Sequence, residues 1–134
     1  STARANRLVT AWAMVETREA LGNLDEILDV SGIDGIYVGP ADLALSLGGE
    51  PLAEPRHPEV IDAIRKVLAS TRTAGKLPGI HCGSAAMVRS MHAEGFDLAT
   101  LMTDTRVFSA AMSAALAGAR SWPGDAPPAS ATAY

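Results

Sequence analysis

The chain has 134 residues, 48% hydrophobic and 19% charged, with a formal net charge of −4, a composition that belongs to one folded globular domain and excludes disordered and fibrous classes. Its 11 Lys and Arg are scattered and aromatics make up only 4%, so the basic, aromatic-laced surface of a nucleic-acid binder is missing. No stretch approaches the roughly 18 consecutive apolar residues of a membrane helix, the opening STARANRLVT lacks the order of a signal peptide, and the lone Cys82 rules out an internal disulfide and suits a reducing, cytoplasmic setting.

Short apolar runs alternate with amphipathic segments. Leu8 to Val15, with only Thr10 polar, reads as a buried parallel strand that ends at Glu16. Thr17 is placed to cap a segment in which Ala20, Leu21, Leu24, Ile27 and Leu28 recur at three-to-four spacing, as one helix or two short ones, closed by Gly32. Ile33 to Val38 is the second strand, and the Gly- and Pro-rich stretch from Gly48 to His57 is a loop. Pro58 opens a helix carrying Val60, Ile61, Ile64, Val67 and Leu68, with Gly75 where a C-terminal cap belongs. Leu77 to Cys82 is the third strand, Ser84 caps a helix over Ala85 to Glu94, and Gly95 ends it. Phe96 to Met102 is the fourth strand and an Ala-rich helix follows over Thr105 to Ala119. The pattern predicts an α/β domain over residues 1–120 and a loose Pro/Ala/Ser tail over 121–134.

Four strand–helix units imply a parallel sheet, and in such sheets ligands bind at the carboxyl ends of the strands. The informative residues are therefore Glu16, the Gly39–Pro40–Ala41–Asp42 turn, His81 with Cys82, and Thr103 with Asp104. Gly39 allows close approach, Pro40 fixes its own φ, and the chain leaves the strand with the amides of Ala41 and Asp42 free to meet a carboxylate. Glu16 and Asp42 offer two hard oxygen donors at one rim, which suits a divalent ion such as Mg²⁺, Mn²⁺ or Co²⁺. Spacing alone leaves an equal alternative, in which Asp42 caps a short Leu43 to Leu47 segment and Glu16 favours the dipole of the following helix.

The stretch MVETREALGNLDEILDVSGIDGIYVGPADLALSLG, Met14 to Gly48, resembles the signature half of the HpcH/HpaI aldolase family, metal-dependent class II pyruvate aldolases built on a (βα)8 TIM barrel. The likeness continues through HPEVIDAIRKVLASTRTAGKLPGI and GFDLATLMTDT, and it covers only the C-terminal half of such a barrel. The resemblance implies that Glu16 and Asp42 hold the divalent metal, and that backbone groups at Gly39, Pro40 and Ala41 meet the carboxylate of a small 2-oxo acid such as pyruvate. The implied reaction is reversible cleavage of a 4-hydroxy-2-oxo acid to pyruvate and an aldehyde, with the metal as Lewis acid. The family's general base, a histidine, and its substrate-binding arginine belong to the other half, so the catalytic residues are not expected within this chain. Relatives often carry Gln where Met14 stands and Gly-Ser where Met102 and Thr103 stand, which points to a pocket of different polarity.

Other candidates have plainer readings. His81 and Cys82 are strand neighbours and face opposite ways, so they do not make a nucleophile pair. His57 belongs to a loop or helix start and His92 to a helix surface. A Schiff-base aldolase needs a rim lysine, yet Lys66 falls within a helix and Lys76 opens a strand at the opposite end. Asp104 either orients a group at the rim or caps the last helix. Three functional readings stay open: half of a lyase, a non-catalytic metal-binding or assembly module, and a relative of the CoA-ester lyases. Four strands of a barrel leave two unpaired edges, so a homo-oligomer or a complementary N-terminal half is the expected partner, with no nucleic acid or membrane.

Overall fold

Alternating side chains make the four apolar runs into strands of one parallel sheet, ordered β1-β2-β3-β4. The computed structural model describes Arg4 and residues 8–120; the tail expected over 121–134 lies outside the described residues. In chain order these are β1 (Trp12–Val15), α1 (Arg18–Gly22), α2 (Leu24–Leu28), β2 (Gly35–Val38), α3 (Pro40–Ser46), α4 (Pro58–Thr73), β3 (Leu77–Cys82), α5 (Ala85–Glu94), β4 (Leu98–Leu101) and α6 (Asp104–Arg120). The chain divides into two units, one ending at Met102 and one beginning at Thr103.

In the first unit the sheet has one covered and one open face. Val15, Ile36, Val38, Ile80 and Cys82 are buried on the covered face and belong to one core with Leu24, Leu28, Leu43, Val60, Ile64, Val67 and Phe96 from the helices and loops. Each large apolar side chain so buried contributes about 1.5–3 kcal/mol. By alternation the open face carries Trp12 and Met14 of β1, Tyr37 of β2, His81 of β3, and Leu98 and Thr100 of β4. Two glycines shape this face. A Cβ at Gly35 would lie 2.5 Å from Cε3 of Trp12 and 2.6 Å from the carbonyl oxygen of Leu77, and one at Gly79 would lie 2.9 Å from Cζ3 of Trp12. The indole therefore lies across both positions, on backbone that no side chain could share.

Three of the strands are shorter than the apolar runs suggest, while β3 spans the expected Leu77–Cys82. β1 starts at Trp12 because Asp34 takes up the backbone before it: Ala11 N–H donates to Asp34 Oδ2 at 2.7 Å and Asp34 N–H to Ala11 O at 2.8 Å. Leu8 and Val9 stay exposed. Ile33 and Asp34 form the turn into β2, where the Lys76 ammonium donates to Val30 O at 3.0 Å and Ile33 O at 2.6 Å. β4 stops at Leu101 because Met102 adopts φ 51, a left-handed conformation unusual for a side-chain-bearing residue.

The helix signals hold. Thr17 Oγ1 accepts from Ala20 N–H at 3.0 Å and Ser84 Oγ from Met87 N–H at 3.2 Å, so both expected N-caps are made. Two short helices, rather than one, follow Thr17. Gly95 ends α5 at φ 113 and Gly75 follows α4 at φ 70. The loop between α3 and α4 folds against the end of β3, where a Cβ at Gly83 would lie 2.8 Å from Cβ of Ala53.

In the second unit α6 begins one residue earlier than the Ala-rich pattern predicts. Thr103 Oγ1 accepts from Arg106 N–H at 3.4 Å, and Asp104 Oδ1 accepts from Thr105 N–H at 2.7 Å, so Asp104 is engaged at the helix start. Val107, Phe108, Met112 and Leu116 recur along α6 as an apolar stripe that a single helix cannot bury by itself. Among the described residues no helix is long and apolar enough to cross a membrane.

Candidate active site

Glu16 follows β1 directly, and alternation places it on the open face with Met14. Its carboxylate lies over Gly39, where a Cβ would come within 2.7 Å of Glu16 Oε2 and 3.3 Å of Glu16 Cβ. The turn after β2 therefore needs glycine so that the Glu16 side chain can cross it. Arg18 fixes the approach: its N–H donates to Ser46 Oγ at 2.9 Å and its guanidinium to Leu47 O at 3.2 Å, latching the start of α1 to the end of α3. The same guanidinium lies 3.7 Å from the Glu59 carboxylate, an exposed pair that adds little energy.

Gly39 is itself the N-cap of α3, and Pro40 is its first residue. Asp42 consequently lies in the first turn instead of capping a segment that starts at Leu43, and the cap makes no side-chain hydrogen bond. That removes the capping role left open by the spacing and leaves the carboxylate exposed. The first intrahelical acceptor is Gly39 O, taken by Leu43 N–H at 2.9 Å. The amides of Ala41 and Asp42 are thus the unpaired N–H groups that every helix start presents, while Pro40 has none to offer.

The Glu16 and Asp42 carboxylates make no hydrogen bond or ion pair with any described residue. Two such carboxylates fit a hard cation of the Mg²⁺ type, which binds through one or two carboxylates and keeps several waters. No group of three His, Cys, Asp or Glu side chains suited to a metal occurs among the described residues. A cation held here would complete its shell with water or a ligand.

His81 and Cys82 do face opposite sides: Cys82 is fully buried in the core, while His81 is half-buried on the open face. There a polar group emerges that the apolar strand pattern did not reveal. Tyr37 OH lies 2.5 Å from Thr100 Oγ1 and 3.4 Å from His81 Nδ1, and His81 Nδ1 lies 3.1 Å from Thr100 Oγ1. The open face is therefore not uniformly apolar. The only signal available was register: His81 pairs with Thr100, and Tyr37 lies one row behind. His57 is the N-cap residue of α4 without a side-chain bond, and His92 Nδ1 lies 3.4 Å from Phe96 O at the end of α5. Lys66 is exposed on α4 and Lys76 binds carbonyls at the amino end of β3, so neither lies at the carboxyl end of a strand.

A parallel βα protein with free carboxylates at the carboxyl ends of neighbouring strands is the class these features define. The family model for HpcH/HpaI aldolase/citrate lyase matches residues 2–111, and the chain belongs to that family. It is 49% identical over 118 residues to the hydroxypyruvate/pyruvate aldolase of Rhizorhabdus wittichii, covering 88% of this chain and 47% of that protein. It is 44% identical over 86 residues to the 4-hydroxy-2-oxo-heptane-1,7-dioate aldolase of Salmonella paratyphi B, covering 64% of this chain and 32% of that one. A solved HpcH/HpaI aldolase/citrate lyase family protein from Burkholderia cenocepacia superposes with a TM-score of 0.74 at 36% identity, over 84% of this chain and 43% of the other. The chain thus spans between a third and a half of the curated relatives' length, and its four parallel strands correspond to part of their architecture.

Proposed function

We propose that Glu16 and Asp42 are the metal-holding part of an aldolase site that cleaves a 4-hydroxy-2-oxo acid to pyruvate and an aldehyde. The observation that carries this reading is the Glu16 carboxylate held across Gly39, beside a helix whose first turn bears the equally unpaired Asp42. The relation to aldolases acting on hydroxypyruvate and pyruvate supports the substrate class. A bound divalent cation would supply Lewis acidity at the keto oxygen, favouring enolate formation. Glu16 is oriented for it by the Arg18 latch, and Asp42 by the start of α3. The Ala41 and Asp42 amides would orient the substrate carboxylate, fixing which end of the acid reaches the carboxylates. The general base and the arginine come from a complementary N-terminal half or another chain, without which a factor of about 10²–10⁴ from acid–base catalysis is lost.

Calorimetric titration of Mn²⁺ into the chain is expected to show one weak site, abolished by Glu16→Ala and by Asp42→Ala. Gly39→Ala should weaken it too, because the new Cβ displaces Glu16 Oε2 from 2.7 Å. Binding that survives both carboxylate substitutions removes the assignment.

A further inference from the structure

The Tyr37, Thr100 and His81 side chains form a chain of hydrogen bonds whose direction follows from their chemistry. Either hydroxyl can donate across the 2.5 Å contact, and the greater acidity of the phenol favours Tyr37 OH as the donor to Thr100 Oγ1. The Thr100 hydroxyl then has its own hydrogen for His81 Nδ1, 3.1 Å away. A neutral imidazole that accepts at Nδ1 carries its proton at Nε2. Nε2 makes no hydrogen bond with any described residue.

Register places this ring relative to the candidate metal centre. Val15 pairs with Val38 and Val38 with Ile80, so Glu16, Gly39, His81 and Thr100 form one row across the open face. One strand separates Glu16 from His81, a Cα separation of about 10 Å. The first three carbons of a 2-oxo acid anchored at Glu16 and Asp42 span roughly 2.5 Å, about a quarter of that distance. Gly39, between them in the row, carries no side chain of its own, and the Glu16 carboxylate lies over it. A substrate anchored at Glu16 and Asp42 that continues along this row beyond its pyruvate unit meets His81.

We propose that the Tyr37–Thr100–His81 relay fixes His81 as an Nε2–H donor to the distal half of the substrate, selecting 2-oxo acids whose far end carries a hydrogen-bond acceptor such as a carboxylate. This inference rests on the aldolase reading for its ligand, but the relay itself does not. His81 is a specificity-determining residue here; Tyr37 and Thr100 position it.

Two-bond ¹H–¹⁵N spectra of the ¹⁵N-labelled chain at pH 8 read the tautomer without ligand. The Nε2–H form is expected for His81, with mixing of both tautomers in Tyr37→Phe and Thr100→Val and restoration in Thr100→Ser. A resting Nδ1–H tautomer overturns the relay. With Mg²⁺ present, 4-hydroxy-2-oxoheptane-1,7-dioate should bind about tenfold more tightly than pyruvate, as one added hydrogen bond to a charged group allows, and should shift the His81 Nε2 resonance. His81→Leu should erase that preference; an unchanged preference overturns the recognition role. If neither acid binds the wild-type chain, the recognition role falls, while the Mn²⁺ titration still decides the metal assignment and the ligand-free tautomer the relay.

Discussion

Cys82 ends β3 inside the core, and its thiol is pushed from 9.0 up to about 11, first by burial and then by the negative charge of Glu54. A raised folded value favours the protonated thiol, so this contribution is complete below pH 9 and disappears as pH rises toward 11. The loss amounts to about 2–3 kcal/mol, at 1.36 kcal/mol for each unit. Urea unfolding from pH 8 to 11 should show it as a falling midpoint, and Cys82→Ala should flatten that part of the profile; equal slopes in the two proteins would contradict the burial argument. Residue-level chemistry was partly legible in the sequence. Glu16 and Asp42 were visible as acids at strand ends, but the crossing of Glu16 over Gly39 needs two strands in register. Met102 was visible as a departure from glycine, and φ 51 gives that departure a physical content: a side chain held in the left-handed region, at a cost of about 1–2 kcal/mol.

At the scale of elements, capping residues translated directly into structure because a cap is a local event. Thr17, Ser84 and Gly95 needed only the three or four residues beside them. Strand limits did not, because a strand ends where its partner's backbone turns away, as at Asp34 opposite Ala11. The Trp12 indole is another long-range feature, lying across Gly35 and Gly79 of two other strands. Gly35→Ala would place a methyl 2.6 Å from the Leu77 carbonyl oxygen, on the neighbouring strand's backbone, where no rotamer change relieves it. We expect a destabilisation of about 1–3 kcal/mol in chemical denaturation, the range for overpacking, together with altered Trp12 fluorescence. Unchanged stability would mean that β2 and β3 can separate at that point.

Among the described residues β1 and β4 each have a partner on one side only, so the unpaired backbone of two edge strands is available for association. The apolar stripe Val107, Phe108, Met112 and Leu116 of α6 adds a second surface that needs cover. We expect a homo-oligomer, or a stable complex with a separately supplied N-terminal half, joined through strand edges or α6. Sedimentation equilibrium over a wide concentration range tests this, and a single species at the 13.9 kDa monomer mass that ignores the N-terminal half would refute it.

The nearest-neighbour strand order also sets a sequence of events in time. Every pairing joins strands consecutive along the chain, and the β3–β4 connection, which is little more than the capped helix α5, is the shortest of the three. Loop-closure entropy grows with loop length, so that βαβ unit is the cheapest to close. Arg72, reaching from α4 to Gly95 O and to Asp97 Oδ1 at 2.8 Å, then ties it to the helix that precedes β3. The long excursion through α3, the irregular loop and α4 that separates β2 from β3 is the costliest closure, so the β1–β2 pair beside Glu16 and Asp42 and the β3–β4 pair bearing His81 and Thr100 are expected to join each other last.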